Sequence, residues 1–405
     1  MAGVELTKCV RACRNAGFCA YRAREVYSLG RNDFTSVRLL SSRRATNMSD
    51  SKKSSTLMFG VLGISMGALV GAGYSYYKKT QTQPSAVLNK NVGVTNAVLE
   101  TPPDIQISKE IVAPSDNTGL KLTLFQYATC PFCCKVRAVL DYYGFSYNIV
   151  EVNPVLRQQI KWTEYKKVPI VLANVDGVYQ QMNDSSMIIS ALASYLHDRG
   201  QGLTDIVKCY PTVSFTDDDG KLKNEILNRY FLMYQGNIPQ GKTKEAILEE
   251  RKWRKWVDDV LVHMLSPNVY RTREEALQAF TWFSQVGEWE KHFSTWERYL
   301  VIYVGAYAMW IIGKRLKKRH NLKDDVRVSL YDACNHWMKS VKMQGTKFMG
   351  GESPNLSDLA VYGVLNSIEG CNAFQDALEH TSIGTWYYSV KQSVQSHSGC
   401  SAMNG

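Results

Sequence analysis

The sequence predicts an α/β domain built on a mixed sheet, followed by an all-helical domain and preceded by one apolar segment of membrane-spanning length. Three observations carry this. Residues 122–143, LTLFQYATCPFCCKVRAVLDYY, read as a strand that ends in Cys-x-x-Cys and opens a helix. From Tyr147 to Leu196 strands and helices follow one another with short connections. From Lys242 onward nearly every segment carries apolar and aromatic residues at helical spacing.

Residues 1–53 form a basic targeting or disordered segment. The first fifty carry nine Lys or Arg against four Asp or Glu, with no periodic core. Ser54 to Tyr77 holds no charge and is bracketed by Lys52, Lys53, Lys78 and Lys79. At about 1.5 Å of rise per residue it is long enough for the roughly 30 Å of hydrocarbon in a bilayer. Gly63, Gly67 and Gly71 recur every fourth residue, a stripe that allows close helix packing. The segment reads as a transmembrane helix, with the continuation of a cleaved presequence as the other reading. Residues 78–119, rich in Thr, Asn, Pro and Ser, read as a stalk.

The net charge of +11 is concentrated in the leader and in Lys314, Arg315, Lys317, Lys318 and Arg319. No nucleic-acid motif surrounds either cluster, so membrane phosphates fit better than DNA. A solvated basic helix end is the plainer reading. Ten cysteines at positions 9, 13, 19, 130, 133, 134, 209, 334, 371 and 400 form no regular framework, which fits a reducing compartment. Cys134, Cys334 and Cys371 read as small buried apolar residues.

In the 120–200 domain, Leu122, Leu124, Phe125 and Tyr127 make the first strand, and Val136, Val139 and Leu140 the buried stripe of the following helix. Cys130 then sits at a helix start, where free N–H groups and the helix dipole stabilise a thiolate. Pro131 suits the first turn, where no N–H is needed. Next come a strand (Tyr147 to Val152), a helix (Pro154 to Trp162), strands from Pro169 to Ala173 and from Gly177 to Met182, and a helix from Ser185 to Leu196. Asp184 or Ser185 caps that last helix.

Residues 201–241, with Thr216-Asp-Asp-Asp-Gly220 and Gly236-Asn-Ile-Pro239, read as a polar insertion. In the 242–395 domain, helices are expected over Ala246 to Met264, Arg273 to Phe280, Trp289 to Lys318 and Val326 to Met343. Tyr299 to Gly313 is fifteen residues without charge, short for a bilayer, and reads as a buried core helix. Asn355-Leu-Ser-Asp358 has the spacing of a capping box for another helix. Residues 396–405 are a tail.

The CPFC strand–helix, Val168-Pro169-Ile170 and Asn183-Asp184-Ser185-Ser186 together resemble the glutaredoxin and glutathione-transferase branch of the thioredoxin superfamily. The resemblance implies a thioredoxin-like domain of glutaredoxin type with a cis bond before Pro169, and a helical domain like the C-terminal one of glutathione transferases. It implies glutathione held by the Val168 backbone and, at the γ-glutamyl end, by Asp184 and Ser185. With the leader, the GKRLKKRH segment and the helical domain added, the chain resembles the membrane-associated type 2 prostaglandin E synthase family.

That second resemblance implies isomerisation of prostaglandin H2, a cyclic endoperoxide, to prostaglandin E2. Cys130 would be the nucleophile, Cys133 a resolving or electrostatic partner and Tyr127 a donor to the Cys130 thiolate. Phe132 would line the substrate pocket, with core packing as its equal alternative. The resemblance further implies haem bound through the glutathione sulfur, with the endoperoxide then fragmented to a hydroxy fatty acid and malondialdehyde. His263 marks a possible haem pocket, although a lone helix histidine more often only packs. A homodimer in the Golgi membrane is implied too, with a processed soluble form; mitochondrial targeting is the alternative. Two other functions stay open: a membrane-tethered glutathione-dependent thiol-disulfide oxidoreductase, which needs Cys133, and a non-enzymatic haem or glutathione carrier.

Overall fold

The computed structural model describes residues 98–216, 222–234, 238 and 241–404. The expected leader and transmembrane helix lie outside these residues. Within them no helix is long and apolar enough to cross a membrane.

Six strands form the main sheet: β1 (Val98–Leu99), β2 (Lys109–Ile111), β3 (Lys121–Gln126), β4 (Tyr147–Glu151), β5 (Ile170–Val175) and β6 (Val178–Asn183). Their order is β1-β6-β5-β3-β4-β2, with β3 and β4 parallel and every other pair antiparallel. In central β3 the residues alternate as a two-sided strand requires. Leu122 and Leu124 face the core shared with helices α1 (Pro131–Tyr143) and α2 (Ser185–His197), whereas Phe125 enters a smaller cluster with Val150, Ile160, Val168 and Ile170. Helix α1 begins with Pro131 and stops at Gly144, which takes φ 78° and donates its N–H to the Leu140 carbonyl.

Residues 98–119 depart from the expected stalk. β1 and β2 extend the sheet on both sides, and Asp116 anchors the stretch by accepting from the Ser146 and Thr118 N–H groups at 2.6 and 2.9 Å. Edge pairing is non-local and a two- or three-residue strand has no periodicity to read. The helix expected over Pro154 to Trp162 is corrected as well. Asn153 takes the Val155 and Leu156 N–H groups on its side-chain oxygen, and Arg157 then turns left-handed at φ 51°. Only a 3₁₀ turn, Gln158–Ile160, follows.

The 201–241 stretch contains helix α3 (Leu203–Lys208) and a hairpin of β7 (Thr212–Thr216) and β8 (Leu222–Ile226). The helical domain then runs through α4 (Lys244–Trp256), a π-turn at Val257–Leu261, α5 (Val262–Val269) and α6 (Arg273–Val286). The single helix expected over Trp289 to Lys318 is broken into α7 (Trp289–His292), α8 (Thr295–Leu300), a second π-turn at Val301–Gly305 and α9 (Ala306–Arg319). A capping box at Ser294 and Glu297 restarts the chain as α8. The expectation of a buried core helix over Tyr299 to Gly313 is overturned. Val301, Ile302, Ala306 and Gly313 are buried, but Tyr299, Leu300, Tyr303, Val304, Tyr307 and Ile312 are exposed. Absence of charge signalled apolarity, not its direction.

Helices α10 (Val326–Gln344), α11 (Leu356–Asn366), α12 (Asn372–His380) and α13 (Ile383–Gln395) complete the domain. The capping box before α11 is present: Asn355 accepts from the Ser357 and Asp358 N–H groups, and Asp358 accepts from the Asn355 N–H. Asp358 also receives the Met349 and Gly350 N–H groups and the Trp386 indole, so this buried carboxylate ties three segments together.

Candidate active site

The β3–α1 turn places Cys130 at the helix N-cap, half-buried, with its carbonyl accepting the first helical hydrogen bond from the Cys134 N–H at 2.8 Å. The Cys130 sulfur lies within electrostatic reach of the Cys133 thiol and of the Cys133 and Phe132 N–H groups, without making a side-chain cap hydrogen bond to the helix. The Cys133 thiol is the leading cause, and together these groups outweigh burial and hold the Cys130 thiol below its ordinary pKa. Burial and the neighbouring thiol push Cys133 well up, so it stays protonated. The two cysteines are unequal: Cys130 is the more acidic thiol and Cys133 the less acidic one.

Tyr127 is partly buried in the same cluster as Cys130, and burial raises its phenol pKa. The Arg157 guanidinium opposes this shift from beside the hydroxyl, while Cys130 and Cys133 reinforce it. Val168 precedes a cis bond to Pro169, packs against the cluster holding Cys133 and is 9% exposed. Asp184 takes φ 70°, a left-handed value rare for a non-glycine residue, and accepts from the Ser186 and Met187 N–H groups at 2.9 and 3.1 Å. Ser185 opens the same first turn of α2 and is buried. Thus the structure brings Cys130, Cys133, Tyr127 and Val168 into one cluster, and Tyr165 joins Asp184 to it. The Tyr165 hydroxyl meets the Asp184 backbone and stands within electrostatic reach of both thiols.

His263 is exposed and stacked on His320, with ring centres 4.2 Å apart. From the helical domain it is Tyr270, at the end of α5, that feels the Cys130 charge. Among the described residues no group of three His, Cys, Asp or Glu side chains could hold a metal ion.

Sequence reasoning missed the support beneath the turn. Arg137 donates to the Ala128 carbonyl and the Gln126 side chain, both at 2.7 Å, and to the Cys134 sulfur at 3.1 Å. Glu151 accepts from the Ala128 N–H at 2.8 Å and from Gln126 at 3.2 Å. The available signal was a charged residue at the inner end of each element, Arg137 beside the buried stripe of α1 and Glu151 closing β4.

Burial raises the Glu151 pKa from 4.5 to about 7. The folded state therefore binds this proton more tightly than the unfolded chain, and stability falls as pH rises from about 4.5 to about 7. Glu151→Gln should remove a slope on the order of 3–4 kcal/mol across that window. Denaturant titrations from pH 5 to 8 measure it. A variant with no relative gain toward pH 8 would show that Glu151 is already ionised in the folded protein at low pH.

The glutaredoxin family model matches residues 122–178. A protein of Danio rerio named prostaglandin E synthase 2 is 48% identical over 289 residues, 71% of this chain and 74% of that one. Its namesake from Mus musculus is 49% identical over 281 residues, 69% and 72% of the two chains. A solved glutathione S-transferase III covers 69% of the chain at 12% identity with a TM-score of 0.37, too low to support a conclusion.

Proposed function

Since the chain belongs to the prostaglandin E synthase 2 family, we propose that it isomerises the cyclic endoperoxide prostaglandin H2 to prostaglandin E2 with Cys130 as nucleophile. The observation that carries this is a half-buried thiol at a helix N-cap, beside a second, buried thiol that stays protonated. The Cys130 thiolate attacks one peroxide oxygen; an S–O bond forms and the O–O bond breaks. The released oxygen takes a proton and becomes the hydroxyl. Loss of the hydrogen on the carbon bearing the sulfur-bound oxygen forms the ketone, and the S–O pair returns to sulfur. No external electrons are needed. Tyr127, protonated at neutral pH, is assigned as donor to the thiolate or the released oxygen, and Phe132 as a pocket wall. Product analysis of purified protein given the endoperoxide, with and without glutathione, tests the reading. Absence of the hydroxyketone in both would sink it.

Glutathione is assigned to the Val168 backbone and to the α2 start at Asp184 and Ser185, where N–H groups suit a carboxylate. His263, the candidate haem-pocket residue, is exposed and stacked on His320. The family resemblance implies capture through the glutathione sulfur, with fragmentation of the endoperoxide to a hydroxy fatty acid and malondialdehyde. Haem binding of equal affinity without glutathione would exclude that route and return His263 to consideration.

The dithiol oxidoreductase is the second reading, favoured by the Cys133–Cys130 pair and the glutaredoxin match. Cys133→Ser separates the two. A serine keeps a polar hydroxyl beside Cys130, so isomerisation should stay within about tenfold of wild type, whereas disulfide reduction by the dithiol route is lost. We assign a second copy of the chain to the exposed Tyr299–Tyr307 face. Glu290 and Glu297 lie at one end of it and Lys314 to Arg319 at the other, so antiparallel pairing about a twofold sets acidic against basic ends. Tyr303→Glu should convert a dimer to a monomer in light scattering; a monomeric wild type rules the assignment out. Membrane attachment is assigned to residues 54–77.

A further inference from the structure

Buried charge that the proposed chemistry does not use gathers at the first turn of α2. Lys135, on α1 one turn past Phe132, is 1% exposed and ion-paired with Asp258 of the helical domain. Its Nζ donates to Ser186 Oγ at 3.3 Å and lies 5.5 Å from the centre of the Phe132 ring. Ser186 Oγ in turn donates to Asp258 Oδ2 at 2.6 Å, and the Tyr230 hydroxyl donates to the same oxygen at 3.0 Å. Asp258 belongs to the π-turn Val257–Leu261, an irregularity often found at functional sites.

Two more cations close the ring. Arg254 donates to the Ser186 carbonyl at 3.0 Å and to Ser190 Oγ at 2.7 Å, and Arg229 Nη1 stands 3.6 Å from Asp184 Oδ2. Lys135, Arg229 and Arg254 thus surround the first turn of α2 together with Asp184 and Asp258.

We propose that the Lys135–Asp258 pair is a positioning device that locks Ser186, and with it the turn carrying Asp184 and Ser185, against the Phe132 wall of the thiol helix. Glutathione and the apolar substrate are then held in register with Cys130 by a residue of the helical domain. The inference rests on the reading of that turn as the γ-glutamyl site. If the pair only stapled the two domains together, apolar side chains of similar volume would serve as well, because each buried ion costs several kcal/mol of desolvation. What the ions add is direction: Ser186 must accept from Lys135 and donate to Asp258, which fixes its rotamer.

The test is the double variant Lys135→Met/Asp258→Leu in the full chain, which leaves no unpaired buried charge. A fold with a melting temperature near wild type is expected, with glutathione Kd raised tenfold or more by calorimetry and endoperoxide KM raised with little change in kcat. Values of Kd and KM within twofold of wild type would reduce the pair to a staple and overturn the proposal. Should the double variant not fold, Ser186→Ala decides. It keeps the ion pair but removes the bridge, so a Kd raised severalfold supports positioning and an unchanged Kd overturns it. Failure of wild type itself to bind glutathione would instead overturn the γ-glutamyl reading, and the KM comparison alone would then judge the pair.

Discussion

Cys130→Ser is expected to lower endoperoxide isomerisation by a factor on the order of 10³ or more, as removal of a sole nucleophile does elsewhere. The effect follows from what the turn supplies. The Cys133 thiol and two N–H groups can stabilise an anion on the residue 130 side chain only if that side chain ionises near neutrality. A serine hydroxyl does not, and no general base is paired with it at hydrogen-bond distance among the contacts found at this helix start. The fold should be unaffected, because the N-cap role of residue 130 uses its backbone and a serine caps at least as well. Turnover and thermal melting of one preparation check both halves. Product formation within tenfold of wild type, with melting unchanged, would remove Cys130 from the chemistry. The pH dependence of Cys130 alkylation in wild type offers a second check: its midpoint should fall below that of a free cysteine.

Gly363→Ala should cause the largest loss of stability. Gly363 lies in α11 where that helix crosses α1, and a Cβ there would sit 2.6 Å from Lys135 Cα and 2.7 Å from its backbone nitrogen. Alanine gains about 1 kcal/mol of helix propensity over glycine. Overpacking against a side chain costs about 1–3 kcal/mol, and here the obstacle is backbone of a buried helix, which cannot rotate away. The clash therefore wins, and a net destabilisation of about 2 kcal/mol or more is expected, about 5 °C or more in Tm. Relief requires α1 to move, and α1 carries Cys130, so activity should fall further than the unfolded fraction explains. A variant as stable as wild type would mean that the two helices separate at little cost.

Much of the thiol domain was legible because its signals are local. Leu122 and Leu124 on one side of a strand, Pro131 after Cys130, Gly144 after the last buried turn, and Asp184 before α2 each act within a few residues of their own position. The Asn355–Asp358 box is equally local, since both partners lie in one turn. The broken helices at Arg157 and at the two π-turns were not legible. Residues there are compatible with helix, and the conformation is imposed by Asn153 in one case and by packing against distant helices in the others.

By itself the sequence determined the cysteine at the helix start, the turn that places it there and much of the succession of strand and helix, because backbone hydrogen bonding and apolar periodicity are properties of short segments. Only the tertiary structure decided which partners tune and support that cysteine. Glu151 beneath Ala128, Tyr165 beside Asp184 and Asp258 against Lys135 are separated in sequence by 23, 19 and 123 positions. It also decided that the aromatic face from Tyr299 to Tyr307 looks outward. Composition sets how apolar a helix is, but the side it buries depends on which other helices the chain brings against it, and that information is spread over the whole domain.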